Sequence, residues 1–93
     1  MNDLGKWAVI DIETTGIDPT YDAIIDLGYL QFEGTKLIKE YSSLVKTEVK
    51  LSNFIQKLTG IKQSQINNAP TWGKVCPELQ ELEGHHLLAH NAN

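Results

Sequence analysis

Cysteine is almost absent from this sequence of 93 residues, and Cys76 is its only example. A single cysteine cannot form an intramolecular disulfide, which excludes the disulfide-stapled secreted scaffolds. Long apolar runs are missing as well: no segment approaches the roughly 18 apolar residues of a membrane span, and residues 1–6 lack the pattern of a signal peptide. These absences predict a soluble, cytoplasmic protein with no membrane partner.

Basic residues are outnumbered, because 8 Lys and Arg against 12 Asp and Glu give a formal net charge of -4. This balance argues against a protein that holds nucleic acid through a broad basic surface. It leaves open an enzyme whose active site is a cluster of carboxylates, since bound divalent cations reverse the local potential. The length suits one small domain or part of one, and 41% hydrophobic with 22% charged residues predicts a globular core.

Three strand-like segments occupy the first half of the chain. Residues 6–13 form an apolar run that ends in two acids, and residues 23–32 and 36–46 follow, joined by a short turn at Gly34. Gly16 and Pro19 mark a loop between the first two segments. Short links between successive strands predict an antiparallel three-strand meander.

Helices are predicted in the second half. Ser52 is placed to cap a helix that runs to Leu58 and stops at Gly60, and residues 61–68 can hold one further turn. A helix over 71–83 has apolar residues three or four apart, although Pro77 predicts a kink or a later start. Residues 87–89 are typical of a short buried strand. The order β-β-β-α-α-β predicts an α/β fold with a mixed sheet, packed helices and a parallel fourth strand.

Two acids at the end of the first segment are the strongest candidates for chemistry. Asp11 and Glu13 are two residues apart on a predicted strand, so both carboxylates project from the same face, with roots roughly 7 Å apart. This spacing can hold a hard divalent cation, and Mg²⁺ is the expected ion because it prefers carboxylate oxygens, water and phosphate. The alternative is a solvated strand end, but two carboxylates directly after an apolar run are costly without a compensating positive charge.

The longer string around these acids, V-I-D-I-E-T-T-G-I-D-P over residues 9–19, resembles the first motif, D-x-E-T-T-G-x, of the DnaQ-like 3′-5′ exonucleases, the DEDD superfamily. Residues 22–28, D-A-I-I-D-L-G, look like the second strand of that family. L-T-G-I at 58–61 with A-P at 69–70 matches its next recurring stretch, and L-A-H-N-A at 88–92 looks like the start of its second motif, H-N-A-x-F-D. Four segments in the family's order span nearly the whole chain.

The resemblance implies a ribonuclease H-like fold and stepwise hydrolysis of phosphodiester bonds from a nucleic-acid 3′ end. DNA is favoured over RNA as the substrate, although no residue of the sequence distinguishes the two, and DNA polymerase subunits are candidate partners. In that chemistry four acidic residues bind two Mg²⁺ or Mn²⁺ ions. By motif position Asp11 would touch both ions and Glu13 one. The implied substrate-binding residues are Thr14 and Thr15 beside the terminal nucleotide, Leu51, Leu58 and Thr59 around its base and sugar, and His90 and Asn91 in the second motif.

The second acidic ligand of the family would fall two residues beyond Asn93, and the third motif, with a general-base histidine or tyrosine, does not occur in the sequence. We therefore expect residues 1–93 to be the N-terminal part of a single exonuclease domain, truncated within the second motif and inactive alone. A naturally short, inactive relative is an alternative. So is a module of the same fold that binds nucleic acid or protein without catalysis.

Several other polar and aromatic residues are interpreted as structural. Adjacent histidines project to opposite sides of a strand, and aspartates commonly bond turn backbones, so neither group is expected to ligate a metal. The two tryptophans lie in apolar patterns and are predicted to make core or subunit contacts rather than to stack on bases. These residues are His85 and His86, Asp18, Asp22 and Asp26, and Trp7 and Trp72.

Overall fold

The computed structural model describes residues 5–16 and 22–91. Its strands are β1 (Lys6–Thr14), β2 (Ile24–Glu33), β3 (Lys36–Leu44) and β4 (His86–Asn91). They form one mixed sheet in the order β3-β2-β1-β4, in which β1 pairs antiparallel with β2, β2 antiparallel with β3, and β1 parallel with β4. The predicted meander and the parallel fourth strand are confirmed.

The β2–β3 turn is fixed by contacts with the start of β1. Gly34 adopts a left-handed conformation with φ 61°, which favours glycine. The Trp7 indole N–H donates to the Gly34 carbonyl at 2.7 Å, and the indole stacks on Phe32 with ring centroids 4.3 Å apart. Trp7 is half-buried, so the predicted packing role holds for this tryptophan.

The first two helices follow the sequence signals. In α1 (Asn53–Thr59) the Ile55 N–H donates to the Ser52 hydroxyl at 3.1 Å, and Gly60 ends the helix with φ 77°. The short helix α2 is Gln63–Asn67. Helix α1 lies where its caps predicted it, and α2 lies within residues 61–68, where one further turn was predicted.

The prediction of an α-helix over residues 71–83 is wrong for most of that segment. The structure has one α-helical turn, α3 (Trp72–Val75), followed by a 3₁₀ helix, Cys76–Leu82. Pro77 has no N–H to donate four residues back and its ring would crowd the Gly73 carbonyl. The chain therefore changes to the tighter 3₁₀ form at the proline, where the predicted kink would have kept an α-helix.

The helices pack on one face of the sheet. Ala8 on β1 and Ile25, Leu27 and Tyr29 on β2 are buried there, with Ile10 and Ile12 half-buried beside them. The helical segments contribute Ile55, Ile66, Val75 and Leu82 to this core. Because side chains alternate along strands, the other face carries Trp7, Val9, Asp11 and Glu13 of β1 with Asp26, Gly28, Leu30 and Phe32 of β2. We call this second surface the open face.

The predicted burial of residues 87–89 is wrong. Leu87 is 55% exposed and Leu88 58%, although their side chains project to opposite faces of β4. β4 is an edge strand, so in the described part of the chain it has a strand neighbour on one side only. Trp72 is 40% exposed and lies outside the core, so of the two contacts predicted for it the core contact is wrong and the subunit contact stays a prediction. No helix within residues 5–16 and 22–91 is both long and apolar enough to cross a membrane.

A polar network ties the sheet to the 3₁₀ helix. Glu78 accepts from the Tyr29 hydroxyl at 2.7 Å and from the Lys39 ammonium at 2.6 Å, and Lys39 lies 3.5 Å from Glu81. The hydrogen bond from Lys39, and then that from Tyr29, lowers the pKa of Glu78 below its ordinary value of 4.5. Ionised Glu78 therefore stabilises the folded chain.

We expect Glu78→Gln to lower the melting temperature at neutral pH and to weaken the pH dependence of stability. A carboxyl whose pKa is lower in the folded state stabilises fully above its unfolded-state pKa, and this contribution is lost as the pH falls through the folded value. The wild-type melting temperature should thus fall below pH 4.5 more steeply than that of the variant. Thermal melts over a pH series check this. Parallel curves for the two proteins would contradict it.

Candidate active site

The open face carries the two predicted metal ligands near the carboxyl end of β1. Asp11 is exposed and Glu13 is half-buried, and the intervening Ile12 turns to the helical face. On β2, Gly28 lies opposite Asp11 and Asp26 lies opposite Glu13. On β4, which is parallel to β1, His90 is in register with Asp11. The segment that resembles the second motif therefore lies beside the strand that carries the carboxylate pair.

Asp26 is a third carboxylate on this face that sequence reasoning assigned only to the strand surface. Burial, and then the charges of Asp11 and Asp26, raise the pKa of Glu13. Burial, and then the charge of Asp11, raise the pKa of Asp26. Its place opposite Glu13 follows from the β1–β2 pairing, which is regular from Lys6–Glu33 to Glu13–Asp26, and the spacing of acids in the sequence does not reveal this register.

One carboxylate oxygen of Glu13 suits a cation. Oε2 is buried and has no hydrogen-bond partner among the described residues, a costly arrangement for a charged acceptor. A divalent ion between Asp11 and Glu13 would satisfy this oxygen and relieve the repulsion that raises the pKa of Glu13. Within residues 5–16 and 22–91, however, no three His, Cys, Asp or Glu side chains converge as a metal site. The pair fits part of a metal centre.

Gly28 leaves space beside Asp11. A hollow of about 420 Å³ on the open face is lined by these two residues and by Leu30, Glu40 and Ser42. A Cβ at position 28 would lie 3.3 Å from the Tyr41 carbonyl oxygen, so a side chain there would be tightly packed. Ligands bound at Asp11 therefore have room above the sheet.

The backbone after Glu13 is held by a compact set of hydrogen bonds. Thr15 N–H donates to the Ala23 carbonyl at 2.9 Å, and Ala23 N–H donates to the Thr15 hydroxyl at 2.9 Å. The same hydroxyl donates to Asp22 at 2.7 Å, and the Thr14 hydroxyl donates to the Gly16 carbonyl. Asp22 thus bonds the turn, as predicted, while Asp18 lies outside the described residues. Both threonine hydroxyls are engaged within the protein.

Gly16 lies in close contact with the side chain of Asp22. A Cβ at Gly16 would lie 2.5 Å from Asp22 Oδ2, so we expect Gly16→Ala to lower the free energy of unfolding by about 1–3 kcal/mol. Asp22→Ala removes the obstacle, and the double variant should be more stable than the sum of the single effects by roughly 0.5–3 kcal/mol. Urea denaturation of the four proteins measures this coupling. Strictly additive effects would show that the two positions do not collide.

The remaining predicted substrate residues differ in exposure. Leu51 is 2% exposed and packs in the core with Ile25, whereas Leu58 is 52% exposed. The Thr59 hydroxyl donates to the Ile55 carbonyl at 2.8 Å and accepts from the Ile61 N–H at 3.1 Å. The structure therefore gives Leu51 and Thr59 structural roles and leaves Leu58 available at the surface. Nucleotide contact by these three residues, and by His90 and Asn91, stays a prediction.

Comparison with known families identifies the class of protein. The family model described as Exonuclease, RNase_T, matches residues 8–93. The match covers the strand with Asp11 and Glu13, the helices and β4. The chain belongs to this exonuclease family.

The curated relatives are much longer proteins, and they include one named as a DNA polymerase and one named as a 3′-5′ exonuclease. The chain is 39% identical over 90 residues to a PolC-type DNA polymerase III of Caldanaerobacter subterraneus, covering 96% of the chain and 6% of that protein. It is 36% identical over 86 residues to the 3′-5′ exonuclease DinG of Staphylococcus saprophyticus, covering 91% of the chain and 10% of that protein. The chain thus spans about a tenth or less of the length of these relatives.

Solved structures share the fold. The nuclease domain of 3′hExo, a DEDDh family member bound to rAMP, superposes with a TM-score of 0.70 at 22% identity over 95% of the chain and 52% of that structure. Exonuclease I of E. coli in complex with a dA16 oligonucleotide gives a TM-score of 0.78 at 14% identity over 92% of the chain and 20% of that structure. The ribonuclease H-like fold implied by the motifs is confirmed.

Proposed function

We propose that residues 1–93 are the N-terminal part of a 3′-5′ exonuclease domain, truncated within its second motif, that hydrolyses phosphodiester bonds from a nucleic-acid 3′ end. The observation that carries this proposal is the carboxylate pair Asp11 and Glu13 on the open face, with the buried, unpartnered Oε2 of Glu13. It occurs in a chain that belongs to the exonuclease family over residues 8–93.

Asp11 and Glu13 would hold the divalent metal. Bound Mg²⁺ or Mn²⁺ supplies an activated water and neutralises the charge that develops on the phosphate. Asp11, exposed beside the Gly28 hollow, faces the space from which a phosphate approaches. Asp26 adds negative charge that favours cation binding. The bonded turn of Thr14 and Thr15 keeps the adjoining backbone in place for the terminal nucleotide.

DNA is the proposed substrate, and the cytoplasm the proposed compartment. Both relatives compared above are more than 30% identical to the chain, and one carries the name of a DNA polymerase. Association with DNA polymerase subunits is proposed on the same basis. One neighbour in fold is a 3′-exonuclease that recognises a histone mRNA stem-loop, at 24% identity. RNA is therefore the second substrate to be assayed.

Nucleotide release from 3′-labelled single strands of DNA and RNA, with Mg²⁺ or Mn²⁺, tests the proposal. We expect metal-dependent release by a polypeptide that continues past Asn93 through the remaining family motifs. The 93 residues alone should release little or none, because two carboxylates do not fix two ions and no general base is present. An inactive longer polypeptide would refute the exonuclease assignment. Robust release by the 93 residues would refute their inactivity.

A further inference from the structure

One long segment of the chain contains no acidic residue. Residues 49–77 contain four lysines, Lys50, Lys57, Lys62 and Lys74, and no Asp or Glu, whereas the whole chain has a net charge of -4. This acid-free segment includes α1, α2 and α3. The segment that contains α1, α2 and α3 is therefore locally positive, and the rest of the chain is strongly negative.

Two of these lysines face a common cleft. A cavity of about 580 Å³ between α1 and the start of α2 is lined by Lys57 and Lys62, together with polar neighbours and no acidic side chain. Its walls are fixed, because the Gln63 N–H donates to Gln56 Oε1 at 3.2 Å and the Leu51 N–H donates to Gln63 Oε1 at 2.7 Å. Both ion pairs recorded between described residues involve Lys39, on another part of the chain. The cleft has the charge of a phosphate site.

An apolar ridge runs along α1 next to this cleft. Phe54 is 70% exposed and Leu58 52%, and their spacing of four residues places them on the same side of the helix. Phe54 is the most exposed of the large hydrophobic side chains in the described residues. Exposed aromatic rings beside basic groups suit single-stranded nucleic acid, since bases stack on the ring while lysines neutralise phosphates.

The helix that carries this surface lies at the same end of the sheet as the candidate active site. Ile55 of α1 packs in one cluster with Ile25 of β2. The neighbour of Ile25 in sequence, Ile24, pairs with Thr14 at the end of β1, directly after Glu13. Helix α1 therefore packs on the helical face at the same end of the sheet at which the open face carries the carboxylate pair.

We propose that α1 and the adjoining cleft bind the single-stranded nucleic acid upstream of its 3′ end, with a base stacked on Phe54 and a phosphate held by Lys57 and Lys62. This inference rests on the proposed exonuclease function, which it extends from the terminal nucleotide to the strand behind it. A protein partner is a poorer fit for the same surface, because the cleft is lined by two lysines and no acid, and the exposed ring of Phe54 lies on the same helix as Lys57.

Fluorescence anisotropy with a 5′-labelled oligothymidylate, and with an oligouridylate, tests this surface on the 93-residue chain in EDTA over a salt series. We expect Phe54→Ala to weaken binding by about tenfold and Phe54→Tyr to retain it, since stacking needs the ring. Lys57→Ala should lower the slope of log affinity against log salt by roughly 0.7, the share of one phosphate contact on a single strand. Both side chains are exposed, so circular dichroism should show folded variants.

The matched controls are Leu37→Ala and Lys36→Ala on β3, exposed residues of similar kind outside the acid-free segment. They should bind like the wild type. The inference is overturned if the wild type does not bind, if the Phe54 and Lys57 variants bind unchanged, or if the controls weaken binding equally. EDTA removes metal-dependent hydrolysis, so this result is separate from the nucleotide-release assay.

Discussion

Asp11→Asn should lower metal-dependent nucleotide release by at least about a thousandfold in a polypeptide that contains the whole exonuclease domain. The change keeps the shape of the side chain and removes the charge that would hold the metal, and metal stabilisation of the transition state is worth several kcal/mol, at about 1.4 kcal/mol per tenfold in rate. The quantity to measure is kcat/KM on a 3′-labelled single strand with Mg²⁺ and with Mn²⁺.

Glu33→Gln is the matched control, because Glu33 is an exposed acid at the far end of β2 and pairs with Lys6. It should retain wild-type kcat/KM. Melting temperatures of the two variants will show that both are folded. If Asp11→Asn keeps a tenth or more of the wild-type kcat/KM, the loss is far smaller than loss of the metal would cause. That result would remove Asp11 from the proposed metal site.

The second large effect is on stability. Leu27 is 1% exposed on β2 and packs with Val45 and Val75. Leu27→Ala should lower the free energy of unfolding by about 2–5 kcal/mol, from lost burial and the cavity that remains. Small domains have about 5–15 kcal/mol in total, so a large share of the stability of this chain should be lost.

Urea denaturation of Leu27→Ala and of Leu37→Ala gives the comparison, since Leu37 is 48% exposed on the neighbouring strand β3. The exposed substitution should change the free energy of unfolding by about 0.5 kcal/mol or less. Equal losses for the two variants would mean that the cluster around Leu27 is not the part of the core that limits stability.

The sequence predicted those features that depend on near neighbours. Alternation of side chains put Asp11 and Glu13 on one face, and the caps at Ser52 and Gly60 set the bounds of α1. Local signals of this kind are complete within a few residues, because a cap or a two-residue repeat needs no distant partner. The fold class followed from the order of these elements and from the motif resemblance.

Features that depend on distant partners were not predictable from pattern. Leu87 and Leu88 have the composition of a buried strand, but burial depends on what lies above the sheet. Asp26 lies opposite Glu13 through a register that the hairpin pairing sets. Pro77 signalled a disturbance, but the pattern did not show that the segment would continue as a 3₁₀ helix whose Leu79 and Leu82 pack against the sheet.

The edge strand β4 also affects how the chain behaves in solution. In the described residues its outer side has no neighbouring strand, and two leucines are exposed on its opposite faces. Unpaired backbone groups along an apolar edge are a template for intermolecular β-sheet pairing. Self-association of the 93-residue chain through β4 would therefore grow with protein concentration and would bury the strand that carries His90 and Asn91.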